Sequence, residues 1–87
     1  MKQNTTPRDE EEYRLALGQH IRELRKQKNL GQEAFADLAR IHRNHIGLLE
    51  HGKLDPRLST LRQVAQALEI PLDELLVSLR VKLETKS

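Results

Sequence analysis

Residues 32–52, QEAFADLARIHRNHIGLLEHG, decide the fold by their spacing. Apolar side chains fall at Phe35, Ala36, Leu38 and Ala39, then at Ile41, Ile46 and Leu49. The first group makes one face of a helix, and Ile46 with Leu49 gives a second face one turn long. Arg40, Ile41 and His42 stand between them and leave no room for a long loop. The spacing predicts two short helices across a tight turn, helix two over roughly 32–39 and helix three over roughly 43–50, with Gly52 ending the second.

Working outward, Met1 to Thr5 is polar, and residues 1–6 are expected to form a disordered tail. Thr6 can cap a helix, Pro7 suits its first position, and Asp9 stands where a capping-box acid belongs. Asp9, Glu10, Glu11 and Glu12 place negative charge at the positive end of the helix dipole. Helix one is predicted to run to about Lys28, with Tyr13, Leu17, Ile21, Leu24 and Lys28 on one stripe and Asn29 as a left-handed cap. Lys53-Leu54-Asp55-Pro56 reads as a turn, because Pro56 disfavours helix at Asp55. Helix four is predicted to start near Leu58 or Ser59 and to carry Leu61, Val64, Ala65 and Leu68 at helical spacing. Pro71 opens helix five, which carries Leu72, Leu75, Leu76, Leu79 and Leu83. No segment alternates with period two. The expectation is an all-α, five-helix domain over residues 7–83 with a short tail over 84–87.

A chain of 87 residues makes one small domain. Burying only about 60–65% of its unfolded surface, such a chain has a thin core that dimerisation would help. It has no cysteine, hence neither a disulfide framework nor a thiolate zinc site. An apolar signal core is absent, as is any run of about 18 apolar residues, and a soluble cytoplasmic protein is expected. Net charge is only +2, but its distribution is uneven. Residues 40–62 carry Arg40, Arg43, Lys53, Arg57 and Arg62 against Glu50 and Asp55 alone. Two short helices at a steep angle, the second presenting polar and basic groups outward, have the physical form of a DNA-reading helix-turn-helix.

The stretch IRELRKQKNLGQEAFADLARIHRNHIGLLEHGKLDPRLSTLRQVAQALEIPLDELL, residues 21–76, resembles the Xre family of helix-turn-helix regulators, the Cro and phage-repressor type. The resemblance rests on Arg25, the Gln32-Glu33 start of helix two, Ile46, the run Glu50-His51-Gly52-Lys53, and Pro56-Arg57-Leu58 through Leu68. It implies a bacterial or phage-encoded, nucleoid-associated, sequence-specific regulator, similar to small stand-alone repressors and restriction–modification controller proteins. Its partners would be double-stranded DNA and a second copy of the chain, the homodimer sitting on a two-fold operator. An antitoxin of the same fold, which binds a toxin and regulates its own gene, is the alternative, and an interaction module without DNA binding is another. The chain departs from the family pattern in three places. Gly31 stands where relatives usually have Ser or Thr, Arg40 where the turn usually has Gly, and His42 where Ser or Thr often precedes the recognition helix.

Arg43 and Asn44 stand at the N-terminal end of helix three, where Arg matches guanine O6/N7 and Asn matches adenine N6/N7. Leu48 is one turn further along and either touches a thymine methyl or packs inside. Gly47 costs a short helix about 1 kcal/mol relative to Ala, and either admits close approach of DNA or is tolerated. Gln32 is assigned by resemblance to a phosphate at the N-terminus of helix two, and Lys53, Arg57 and Ser59 to phosphates around the turn between helices three and four. His42 and His45 read as groove-edge residues that meet phosphate rather than as zinc ligands, since no third ligand is suitably spaced. The family likeness pairs Arg25 with Glu50 in or near the core, because a lone buried charge costs several kcal/mol. Leu72, Leu75, Leu76, Leu79 and Leu83 are more apolar positions than one short helix needs to close a thin core, and dimers of the family commonly use this last helix, so a dimer interface is expected on them. No nucleophile–base set and no phosphate-binding glycine loop is present, so neither catalysis nor a cofactor or metal is expected.

Overall fold

The computed structural model describes residues 7–84. Its five helices are α1 (Pro7–Gln27), α2 (Gln32–Ala39), α3 (Arg43–Glu50), α4 (Leu58–Leu68) and α5 (Leu72–Glu84), with no strand among the described residues. α5 reaches one residue into the expected C-terminal tail, while residues 1–6, Thr6 among them, and 85–87 lie outside the described residues. No described helix is long and apolar enough to cross a membrane.

Every helix sends at least one fully buried side chain into a single cluster. Ile21 comes from α1, Phe35 from α2, Ile46 and Leu49 from α3, Val64 and Leu68 from α4, and Leu75 from α5. Phe35 is the only phenylalanine of the chain. Truncating such a side chain typically costs about 3–5 kcal/mol, a large share of the ~5–15 kcal/mol that holds a small domain together.

Two apolar faces differ from the expected ones. Tyr13 is 56% exposed and Lys28 is exposed; the covered stripe of α1 begins at Ala16 and continues through Leu17, Ile21 and Arg25. A helix of 21 residues is about 31 Å long, and the partners that cover its later turns leave Glu10 to Tyr13 in solvent. On α5, Leu75 is fully buried in the chain's own core, so it is not available to a dimer interface. Leu72 and Leu79 are partly buried against the same core. These three leucines follow i, i+3, i+7 spacing and form the inward stripe that closes the domain. Leu76 and Val77 remain exposed, at 40% and 50%, and the side chain of Leu83 lies outside the described part of the structure.

Helices α1 to α4 end in the same way. Asn29, Arg40, Gly52 and Glu69 adopt left-handed backbone with φ of 59°, 59°, 68° and 61°. The N–H of each next residue returns to the carbonyl five positions back: Leu30 to Arg25, Ile41 to Ala36, Lys53 to Leu48 and Ile70 to Ala65. This is the Schellman closure, which satisfies carbonyls the helix end leaves free. Arg40 therefore keeps the turn conformation that glycine would normally supply, at a steric cost of about 1–2 kcal/mol. Gln63 of α4 helps to hold the turn: its Nε2 donates to the carbonyls of Ala39 (3.1 Å) and Arg40 (3.3 Å). At the far side, Lys28 Nζ donates to Glu69 Oε1 at 2.7 Å. That hydrogen bond, reinforced by the lysine charge, holds the Glu69 carboxyl below the usual carboxylate range.

Candidate nucleic-acid interface

A buried charge network anchors the end of α3. Arg25 Nε donates to Glu50 Oε2 at 2.6 Å and Nη2 donates to Oε1 at 3.0 Å, so the guanidinium grips both carboxylate oxygens. The two side chains are 8% and 1% exposed. Nη1 of Arg25 donates to the Leu30 carbonyl at 2.8 Å, and Gln32 Nε2 donates to Glu50 Oε1 at 3.0 Å. The pair is thus hydrogen-bonded on several sides, the condition under which buried charge is tolerated. It also reaches the surface, because Gln32 is the first residue of α2 and is only half-buried. One hydrogen of its amide goes to Glu50, leaving the second hydrogen and the oxygen for a ligand.

The start of α3 is capped by His42, whose Nδ1 accepts from the Asn44 N–H at 3.0 Å. The imidazole does here what Ser or Thr does in other N-caps. Gly31, at the start of α2, offers no side-chain cap. Arg43 and Asn44 are exposed, and Arg43 Nη1 lies 3.7 Å from Glu33 Oε2 across the gap between α2 and α3. Leu48 is 48% exposed, which removes the possibility that it packs inside. A Cβ built at Gly47 meets nothing within 4 Å, so no neighbour within the fold requires glycine there.

Gln32, Arg43, Asn44, Gly47, Leu48, His51 and Lys53 line one open depression of about 480 Å³. Six of the residues expected to read bases or touch phosphate, Gln32 at the start of α2 among them, are therefore on one surface. His42, the cap of α3, is exposed and His45, within α3, is half-buried; neither lines the depression. Arg57 and Ser59 are exposed at the start of α4 and do not line the depression.

Residues 21–75 match the family model described as helix-turn-helix, HTH_3. The chain belongs to the helix-turn-helix family. It is 35% identical over 68 residues to the control protein C.SmaI of Serratia marcescens, covering 78% of this chain and 81% of that protein. It is also 38% identical over 56 residues to the immunity repressor of Bacillus phage phi105, covering 64% of this chain but only 39% of the repressor. The chain thus spans less than half the length of that phage relative. Among solved structures, the restriction-modification controller protein C.AhdI of Aeromonas hydrophila superposes with a TM-score of 0.68 at 38% identity, over 70% of this chain and 92% of that one. This helix-turn-helix protein is a DNA-binding transcriptional regulator of the Xre type.

Within the regulator, two residues of consequence escaped the reading of the sequence. His51 lines the same depression, and its signal is simple: it lies four positions after Gly47, hence on the same helical face. Gly18 allows α1 to approach the end of α3, since a Cβ there would stand 2.5 Å from the Glu50 carbonyl oxygen. A glycine within a long helical pattern announces some such constraint but does not say against what.

Proposed function

We propose that this regulator binds a palindromic operator as a homodimer, with α3 of each copy in the major groove. The observation that carries the reading is the single depression in which Arg43, Asn44, Gly47 and Leu48 stand between Gln32 and Lys53. Arg43 and Asn44 supply fork-shaped groups to guanine and adenine edges, and Leu48 meets a thymine methyl. Gly47, with open space above its Cα, lets the DNA come close. Gln32, His42, His45, Lys53, Arg57 and Ser59 contact phosphates around that groove and set the register. Likeness to two control proteins over most of their lengths supports a role as a restriction–modification controller.

Dimerisation is carried on this reading by Leu76 and Val77, which are exposed apolar residues among the described side chains of α5. Two copies joined there would present two α3 helices to half-sites about 34 Å apart, one DNA turn. Selection of bound sequences from random DNA is the test. Recovery of an inverted repeat with a spacing near one helical turn is expected. Recovery of an asymmetric site, or of no enriched sequence, would count against the homodimer or against specific reading.

A further inference from the structure

Two histidines at opposite ends of α3 are held by the backbone in opposite tautomers. His42 Nδ1 accepts from the Asn44 N–H, so that nitrogen carries no proton and the neutral ring keeps its hydrogen on Nε2. His51 is the reverse. Its Nδ1 lies 2.7 Å from the Gly47 carbonyl oxygen, and a carbonyl only accepts, so Nδ1 must be the donor. The neutral His51 ring then turns a bare lone pair outward at Nε2. A phosphate oxygen is itself an acceptor and finds no hydrogen there unless Nε2 is protonated as well.

We propose that His51 is a further DNA contact of the reading surface, meeting a phosphate as the imidazolium, so that DNA binding takes up a proton at this residue. The inference rests on the DNA-binding reading above. His51 is exposed and lines the same depression as Arg43, Asn44 and Lys53. Charged groups of both signs stand on the elements about it. Arg43 on its own helix and Lys53 beyond the turn oppose a further positive charge. Glu33 of α2 lies against Arg43, and Glu50 is held by Arg25 and Gln32. From α1, Leu15 approaches the Gly52 turn, and Glu11, Glu12 and Arg14 precede it in sequence. Glu33 and Glu50 are therefore already engaged with arginines, and the phosphate of bound DNA supplies the charge that favours the proton. His42 needs no such step, because its neutral form already offers Nε2–H outward.

The test is calorimetric titration of the full chain into two duplexes, one recovered by selection and one of mixed sequence. Repeating it in buffers of different ionisation heat at one pH reads the protons taken up. Uptake is expected on both duplexes, because a phosphate contact is blind to sequence. His51→Asn is expected to remove that uptake and to flatten the dependence of log K on pH by up to one unit per pH unit. His42→Asn, which still caps α3, is expected to lose affinity with the phosphate contact proposed for it, yet to keep the proton uptake and the pH dependence. Equal uptake in the wild type and His51→Asn overturns the inference. So does a loss of affinity confined to the selected duplex without proton uptake, which would put the Nε2 lone pair on a base N–H. Absence of binding to either duplex overturns the DNA-binding reading itself, and this inference with it.

Discussion

Gly18 lies directly against the carbonyl of Glu50, so that a single methyl group cannot be placed between α1 and the end of α3. Helix propensity alone would favour Gly18→Ala by about 1 kcal/mol. The contact reverses the sign. The obstructing atoms are backbone, which has no rotamer to yield, and forced overpacking costs about 1–3 kcal/mol. Gly18→Ala is therefore expected to lower the urea midpoint; an unchanged or raised midpoint would show that the two helices do not meet there.

Glu50→Ala leaves the Arg25 guanidinium buried with only the Leu30 carbonyl for a partner. The expected loss is about 3–5 kcal/mol, enough to unfold much of a small domain. The joint change Arg25→Met with Glu50→Leu removes both charges and is expected to be milder. Thermal melts of the two variants, compared with the wild type, separate these effects. A Glu50→Ala melt equal to that of the wild type would contradict a buried pair.

Arg40→Gly is expected to stabilise the domain by about 1 kcal/mol, since it relieves left-handed backbone at an exposed position. Gln63→Ala is expected to act oppositely, by about 1 kcal/mol, because two carbonyls of the same turn lose their shared donor. Denaturant midpoints measure both, and a loss of stability in Arg40→Gly would mean that its side chain contributes more than its backbone strain removes.

The helix-turn-helix was legible because its apolar spacing, its short turn and Gly52 all point to the same boundaries, and α2 and α3 begin and end where that pattern places them. Periodicity identifies a helical face without saying how far a neighbour covers it. Tyr13 continues the α1 stripe in sequence yet stands in solvent, because the described helices leave it uncovered. Leu75 shows the converse. Five leucines on α5 look like more than a core needs, but an 87-residue chain uses three of them to close its own interior. His51 stands just past the last residue of α3, and only carrying the helical face through that cap places it beside Gly47 in the depression.

On DNA, Arg43→Ala and Asn44→Ala are each expected to cost about 1–3 kcal/mol at the preferred site and little on random sequence. Lys53→Ala and Arg57→Ala are expected to weaken binding to all sequences alike and to reduce the slope of log K against log salt by about one each. Gel-shift titrations over a salt series distinguish the two classes. A changed sequence preference with an unchanged slope, for either lysine or arginine, would reverse their roles.

For the dimer, Leu76→Asp is the informative substitution, since Leu76 is exposed and its replacement leaves the core intact. Light scattering is expected to show a folded monomer, and its affinity for the selected operator is expected to fall sharply because one half-site supplies too few contacts. A variant that stays dimeric would move the interface elsewhere. Leu79→Asp would be a poorer probe, because Leu79 packs against the core and a charge there destabilises the fold itself.

The left-handed residues that end α1, α2 and α4 are asparagine, arginine and glutamate rather than glycine. On the proposed reading, changes in recognition fall on α3, a helix of only eight residues, and most substitutions lower stability by about 0.5–3 kcal/mol. A regulator near its threshold for folding cannot accumulate many of them. The three helix ends do not line the depression that carries Arg43 and Asn44, and glycine at each would relax the backbone without altering that surface. They form a reserve from which altered operator preferences can evolve while the domain stays folded.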